Sequence, residues 1–191
     1  MTPLYLFAAM LIWVLWGLSW FAAAFWAGRP AQQADRSSYR GPLALVFVGF
    51  AMLFVMIPRW SVPMWSMPAW FGWVLAGCVF AGMAFAWWAR IHLGSLWSGG
   101  IVTREGHRIV ESGPYALVRH PIYTGLILGA SALAAIRATP LAVLGAVLMA
   151  TGFAIKARVE ERFLAAELGE MDDAAYRARV PMLVPFAPTH G

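Results

Sequence analysis

The stretch GHRIVESGPYALVRHPIYTG, from Gly106 to Gly125, lies between long apolar segments and concentrates much of the polar chemistry of the chain. Its ionisable side chains are those of His107, Arg108, Glu111, Tyr115, Arg119, His120 and Tyr123. Charged groups are costly near hydrocarbon, so a polar cluster at the edge of a membrane core is typical of a functional site. The stretch therefore predicts membrane helices on both sides of it and a site at their polar end.

Composition supports the membrane assignment. The 191 residues are 61% hydrophobic and only 12% charged, with a mean hydropathy of +0.68, whereas about 25% of the residues of a soluble domain are charged. The net charge is +5, but no dense basic run is present and the aromatic residues alternate with Leu and Ala, which argues against a nucleic-acid partner. The single cysteine, Cys78, lies in an apolar run, so we expect no disulfide and a role in core packing.

Five segments are predicted to span a hydrocarbon core about 30 Å thick. They are Leu4–Ala27, Leu43–Pro58, Ala69–Ala89, Ile122–Ile136 and Pro140–Ile155. The last two are short and form a predicted hairpin across residues 137–140. Helices are expected, because unpaired strand edges are not tolerated in lipid. We predict an all-α integral membrane protein with about five transmembrane helices. We predict that residues 1–191 form one domain, with two spans in 1–68 and the third span, the polar loop, the helical hairpin and the C-terminal helix in 69–191.

The charges are distributed unequally across this topology. Five spans place Ala27–Pro42, Arg90–Pro121 and the tail after Ile155 on one side, which then holds 12 of the 14 basic residues and all nine acidic residues. Only Arg59 and Arg137 lie on the other side. By the positive-inside rule the charged side faces the cytoplasm, which places the N-terminus outside and indicates a multi-pass protein of a bacterial or archaeal inner membrane. No basic residue precedes the long first span, so we expect a retained helix rather than a signal peptide.

The tail carries a second group of charges. The last span is predicted to continue as a helix that ends at Gly169. Along it, Lys156 and Glu160 form a predicted i,i+4 pair, and Arg158 and Glu161 a predicted i,i+3 pair. This pattern is compatible with a solvated helix that bears salt bridges, and equally with one wall of a site.

Local signals predict turns and one more helix. Gly41 and Pro42 are helix breakers at the end of the loop that follows the first span. Gly113-Pro114 predicts a tight turn. A short helix is expected to begin at Asp172 or Asp173, where an aspartate caps free backbone N–H groups.

Four elements of the sequence together resemble the isoprenylcysteine carboxyl methyltransferase family. They are LGSLWS at 93–98, GHRIVESGPY at 106–115, RHPIY at 119–123 and EERFL at 160–164. Tyr176 and the ending RVPMLVPF follow as they do in the family pattern. Each motif alone is a weak match, but four in order, with a helical hairpin between the third and fourth, are specific. The resemblance extends from Ala89 to Phe186.

The resemblance implies a membrane methyltransferase that binds S-adenosyl-L-methionine in a cytoplasmic pocket. Carried over by position, the cofactor-binding residues are His107, Arg108, Ile109, Val110, Tyr115, His120, Pro121, Ile122, Tyr123 and Glu160. Backbone groups near Ile109 and Val110 would meet the adenine edge, and Glu160 would bind the ribose hydroxyls or the α-ammonium. The rings of Tyr115, His120 and Tyr123 would offer faces and hydrogen-bond donors. Arg119 and Lys156 are the candidate catalytic residues. The histidine spacing predicts no metal site.

The methyl acceptor is less defined than the donor. In the family's prenylcysteine enzymes, an arginine four residues before the cofactor glutamate holds the substrate carboxylate, and Lys156 occupies that position here. Lysine keeps the charge but does not form a planar two-point contact with a carboxylate. A prenylcysteine-like carboxylate, a small isoprenoid acid, a thiol and a phospholipid amine all stay open as acceptors. The expected partners are a lipophilic or prenylated substrate and membrane lipids, and the oligomeric state is not predicted.

Two other functions stay open. Membrane sterol reductases resemble the C-terminal half and bind NADPH, but they carry an RH-x-N-Y element where this chain has PIY at 121–123. The third possibility is a non-enzymatic membrane protein that binds haem or a partner. Taken singly, His120 is also compatible with a helix-start residue and Arg119 with an interfacial anchor, and Arg90 and His92 are interpreted as anchors that close the third span.

Overall fold

The computed structural model describes residues 3–24, 32–33, 35, 37–57, 62–97, 102–103, 110–168 and 170–189. Helices dominate these residues, and two-residue strands form one small pair. In chain order the elements are α1 (Leu4–Ala24), β1 (Gln32–Gln33), α2 (Ser37–Phe54), α3 (Ala69–Leu93), β2 (Val102–Thr103), α4 (Pro121–Arg137), α5 (Pro140–Leu168) and α6 (Glu170–Arg179). The predicted all-helical fold is confirmed.

Four of the helices are long and apolar enough to cross a membrane, namely α1, α2, α3 and α5. Large apolar side chains on them, such as Phe21, Phe47 and Trp70, are exposed where lipid would lie. The fifth predicted span, α4, is a shorter apolar helix of 17 residues, which rises about 25 Å. The protein is therefore an integral membrane protein, with four long spans and a shorter fifth helix packed among them.

The second helix begins earlier than predicted. It starts at Ser37 instead of Leu43, and Pro42 lies inside it. Asp35 stabilises this start, because its carboxylate accepts hydrogen bonds from the backbone N–H (3.0 Å) and the hydroxyl of Ser37. These hydrogen bonds lower the pKa of the Asp35 carboxyl. Pro42 is the sixth residue of α2, beyond the first turn where proline is best tolerated, and the helix continues through it. The prediction that Gly41 and Pro42 end the loop was therefore wrong.

Two other helix ends differ from prediction. Helix α3 extends to Leu93, one turn beyond its predicted end at Ala89. Helix α6 begins at Glu170 rather than at Asp172 or Asp173. The sequence signal therefore placed the helix correctly but its first residue too late.

The predicted hairpin between α4 and α5 is confirmed. Ala138 adopts a left-handed conformation with φ 52°, and its carbonyl accepts a hydrogen bond from the backbone N–H of Met64 at 2.6 Å. Helix α5 continues without a break to Leu168, as predicted. Its predicted end at Gly169 lies outside the described residues.

Two contacts tie the first loop to the segment after α3. Strands β1 and β2 pair antiparallel, with Gln32 opposite Thr103. Arg90, at the end of α3, donates from Nη2 to the carbonyl of Ala23 at 2.6 Å, and its guanidinium lies 3.3 Å from the ring centroid of Trp97. Arg90 is buried, so its interpretation as an interfacial anchor was wrong. The contacts place both loops on one side of the helices, as the charge pattern predicted.

Glycines allow the helices that position the site to touch backbone to backbone. A Cβ at Gly82 of α3 would lie 2.4 Å from the carbonyl oxygen of Gly125 in α4, and a Cβ at Gly49 of α2 would lie 2.4 Å from that of Gly145 in α5. Small residues are common at such contacts in membranes. Cys78 packs against this apolar core, as predicted.

Replacing Gly82 with alanine should destabilise the protein by about 1–3 kcal/mol, because the new methyl group overpacks the contact between α3 and α4. Thermal unfolding of detergent-purified protein, followed by circular dichroism, measures the effect. Gly77→Ala on the same helix is the matched control, since a Cβ there has no atom within 4 Å. An equal change in both variants would contradict the close contact.

Candidate functional site

The candidate site forms where the start of α4 meets the extended end of α5. The predicted tight turn before α4 is present as one turn of 3₁₀-helix, Gly113–Ala116. Gly113 has φ 60°, and a Cβ there would lie 2.8 Å from Cε1 of His92. The ring of His92 also contacts the Ser112 hydroxyl, with 2.9 Å between Nε2 and Oγ. His92 therefore holds the turn, rather than acting as the membrane anchor that the sequence suggested.

Tyr123 links the two predicted motifs through Glu160. The Tyr123 hydroxyl donates to Oε2 of Glu160 at 2.7 Å, and the Lys156 ammonium donates to the same hydroxyl. The predicted pair of Lys156 and Glu160 is confirmed, with 4.0 Å between Nζ and Oε2. Lys156 is only 5% exposed. The interpretation of this helix face as solvated was therefore wrong.

The ring of Tyr123 is stacked between protein side chains. The ring centroids of His120 and Phe153 lie 5.4 Å and 4.9 Å from its own, at interplanar angles of 2° and 20°. Both stacking neighbours of the Tyr123 ring are therefore protein side chains, and its hydroxyl lies beside Glu160.

Glu161 is the centre of a second polar cluster. Its Oε1 accepts from Nε of Arg119 at 2.8 Å and lies 3.0 Å from Nε2 of His120, while Oε2 lies 3.3 Å from Nη2 of Arg119 and 3.7 Å from Nε of Arg177. Its side chain is 9% exposed. The predicted pair of Glu161 with Arg158 was wrong, because Glu161 turns toward the start of α4.

The segment after α6 completes this cluster. The backbone N–H groups of Arg119 and His120 donate to the carbonyls of Pro181 and Met182, at 2.9 and 3.1 Å. The Arg119 guanidinium also donates to the carbonyl of Arg177 at 3.1 Å. Arg119 is thus held inside the protein, so its alternative role as an anchor reaching toward water was wrong.

Tyr115 belongs to the 3₁₀ turn that precedes α4. It is buried, and its carbonyl accepts a hydrogen bond from the Tyr176 hydroxyl at 2.7 Å. Burial raises the pKa of the Tyr115 phenol well above its ordinary value, and the negative charge of Glu160 acts in the same direction. The phenol therefore stays neutral and keeps its proton for donation.

The predicted site residues fall into three groups: those in the polar clusters, those in buried or half-buried positions, and those outside the described residues. The polar clusters just described contain the side chains of Arg119, His120, Tyr123, Lys156 and Glu160, whereas Tyr115 contacts α6 through its carbonyl. Pro121 is the buried first residue of α4, Ile122 packs against the apolar core, and Val110 is half-buried. The predicted residues His107, Arg108 and Ile109 lie outside the described residues.

Sequence reasoning missed part of the site. The roles of Glu161, Arg177 and residues 181–182 depend on how α5 is rotated and where the tail returns, which no local spacing reveals. Tyr176 and the tail were visible only as members of the family pattern. Across the described part of the chain, no three His, Cys, Asp or Glu side chains are grouped so that they could hold a metal ion.

Comparison with known proteins supports the motif assignment. Residues 74–166 match the model of the Isoprenylcysteine carboxyl methyltransferase (ICMT) family. The cobalt-zinc-cadmium resistance protein CzcN of Cupriavidus metallidurans is 36% identical over 96 residues, which are 49% of this chain and 43% of that protein. The chain therefore matches less than half the length of this curated relative. The predicted resemblance is confirmed, and over residues 74–166, which include α4 and most of α5, the chain matches the ICMT family.

Proposed function

We propose that the protein is a membrane methyltransferase that uses S-adenosyl-L-methionine to methylate a lipophilic acceptor at the cytoplasmic face. The observation that best supports this proposal is the contact between the motifs at 119–123 and 160–164, which are distant in sequence. Tyr123 contacts Glu160, and Arg119 and His120 contact Glu161, across 37 to 42 positions of sequence. The family match over these motifs supports the methyl donor, and the positive-inside bias supports the cytoplasmic orientation.

The chemistry of Glu160 fits this cofactor. Its side chain is 27% exposed, and Oε2 accepts the bond from Tyr123. Oε1 has no hydrogen-bond donor among the described residues, so it is available to an ammonium or to ribose hydroxyls. A carboxylate also favours a cationic ligand, since charge-assisted hydrogen bonds are stronger than neutral ones. The neutral Tyr115 phenol, whose pKa is raised, offers a donor nearby.

The protein has little acid–base work to do in this reaction. Bound S-adenosyl-L-methionine supplies a sulfonium methyl that is already activated. The chain's residues orient the two reactants and exclude water, which lowers the barrier by several kcal/mol. In this proposal Arg119 is a positioning residue, because it joins the start of α4 to Glu161. Lys156 provides a buried positive charge for an anionic acceptor group such as a carboxylate.

Replacing Lys156 with methionine should reduce kcat/KM for an anionic acceptor by about 10- to 100-fold, because a charged hydrogen bond to the acceptor is lost. Binding of S-adenosylhomocysteine should change little, since Tyr123 can still donate to Glu160. The transfer of labelled methyl groups into a membrane lipid extract measures kcat/KM, and calorimetry measures binding of S-adenosylhomocysteine. If methyl transfer were unchanged, Lys156 would not be part of the acceptor site.

Calorimetry on the unmodified protein tests the choice of cofactor. Detergent-purified protein is titrated with S-adenosylhomocysteine and, in parallel, with NADPH. We expect S-adenosylhomocysteine to bind and NADPH not to bind. Binding of NADPH alone would instead support a membrane reductase.

A further inference from the structure

A cavity lies beside Glu161, and the side chains of Tyr123, Lys156 and Glu160 do not line it. Its volume is about 340 Å³, and its wall is formed by α5, α6 and the segment that follows α6. The charged side chains in this wall are Arg119, Arg158, Arg162, Arg177 and Glu161. Among the residues that the structure describes, four guanidinium groups thus share this cavity with one carboxylate.

The single carboxylate does not neutralise these arginines. Glu161 already contacts Arg119, Arg177 and the ring of His120. Within the described part of the chain, no hydrogen bond or ion pair joins Arg158 or Arg162 to another residue. These two arginines are four positions apart on α5, so their side chains lie next to each other on one face. Among the described side chains of the cavity, positive charge therefore exceeds negative charge.

The cavity lies at the border between apolar and polar surface. The segment after α6 runs beside the first turn of α4, where the Thr124 hydroxyl donates to the carbonyl of Leu183 at 2.7 Å. The next residues of this segment expose apolar side chains, including Val184 and Phe186, and Phe186 is 94% exposed. Apolar side chains beside a basic surface are typical of contact with the headgroup region of a bilayer.

We propose that this cavity binds the phosphate group of an anionic membrane phospholipid. Arg158 and Arg162 contact the phosphate oxygens, since the planar guanidinium matches phosphate geometry in a two-point contact. Val184 and Phe186 lie against the adjoining acyl chains. The cavity shares Arg119 and Glu161 with the cluster at the start of α4 but is not lined by Tyr123, Lys156 or Glu160, and the proposal does not depend on methyl transfer.

Native mass spectrometry of the detergent-purified full chain tests this site with dioleoyl phosphatidylglycerol as the probe. Dioleoylglycerol, which has the same acyl chains and no phosphate, is the control ligand. The pocket variant is Arg158→Gln with Arg162→Gln. The matched variant is Arg40→Gln with Arg179→Gln, which removes two exposed arginines outside the cavity.

We expect the pocket variant to bind phosphatidylglycerol about 30-fold more weakly, because each arginine near an anionic lipid contributes roughly a fivefold factor. The matched variant should weaken binding much less, and dioleoylglycerol should bind weakly to all forms. Excess inorganic phosphate should compete for the wild-type site. Equal loss in the two double variants, or binding of inorganic phosphate without binding of the lipid, would overturn the proposal. If the pocket variant does not fold, failure of phosphate to compete on the wild-type protein would overturn it.

Discussion

Replacing Glu161 with alanine should lower the free energy of unfolding by about 3–5 kcal/mol, because loss of one partner leaves buried charge without compensation. Arg119 and His120 would lose their common carboxylate in a place where the side chains are 12% and 10% exposed. The same carboxylate joins the start of α4 to α5, so its loss also loosens the site. Thermal and denaturant unfolding of detergent-purified protein measures the change.

Glu111→Ala is the control for this prediction. Glu111 also forms an ion pair, with 2.8 Å between its Oε2 and Nη2 of Arg179, but the two side chains are 42% and 65% exposed. Exposed pairs contribute about 0–1 kcal/mol. If Glu111→Ala and Glu161→Ala destabilised the protein equally, Glu161 would not be the centre of a buried cluster.

Replacing Glu160 with glutamine should weaken binding of S-adenosylhomocysteine about 10- to 100-fold, since a hydrogen bond to a charged group contributes about 1.5–3 kcal/mol. The substitution keeps the shape of the side chain and its capacity to accept from Tyr123. The stability of the fold should therefore fall less than in Glu161→Ala, because only the 4.0 Å contact of Lys156 with a carboxylate is lost. Calorimetry measures binding, and thermal unfolding of the same preparation measures stability.

The two adjacent glutamates thus have opposite predicted phenotypes. Glu161 should act mainly on stability and Glu160 mainly on ligand binding. Glu111→Gln, which removes the same charge from an exposed carboxylate, should bind the ligand as the wild type does. Normal ligand binding by Glu160→Gln would place the cofactor elsewhere.

The separation of these glutamates illustrates what the sequence could predict. The EE motif placed both residues on the extension of α5, and the i,i+4 rule correctly paired Lys156 with Glu160. Consecutive helix residues point about 100° apart, so Glu160 and Glu161 face different neighbours. Local spacing therefore paired Glu161 with Arg158, whereas the packing of α4 against α5 brings it to Arg119.

The apolar runs predicted where the helices lie. They did not predict where each helix begins and ends, because the helix ends depend on contacts with other parts of the chain. The Asp35 carboxylate stabilises the first turn of α2, whereas Gly41 and Pro42 predicted a loop there. Arg90 at the end of α3 appeared to be an anchor, because its carbonyl partner, Ala23, is 67 positions away. The tail at 181–182 has no periodic pattern, and its role comes from backbone hydrogen bonds to Arg119 and His120.

We propose that the side chains around Tyr123 and Glu160 support methyl transfer from S-adenosyl-L-methionine to a lipophilic molecule. The most direct measurement incubates the purified protein with methyl-labelled S-adenosyl-L-methionine and a membrane lipid extract, and follows label in the lipid-soluble fraction. We expect a labelled product with the wild-type protein and at most a small fraction of it with Glu160→Gln. No labelled product from wild-type protein, together with no binding of S-adenosylhomocysteine, would contradict the account.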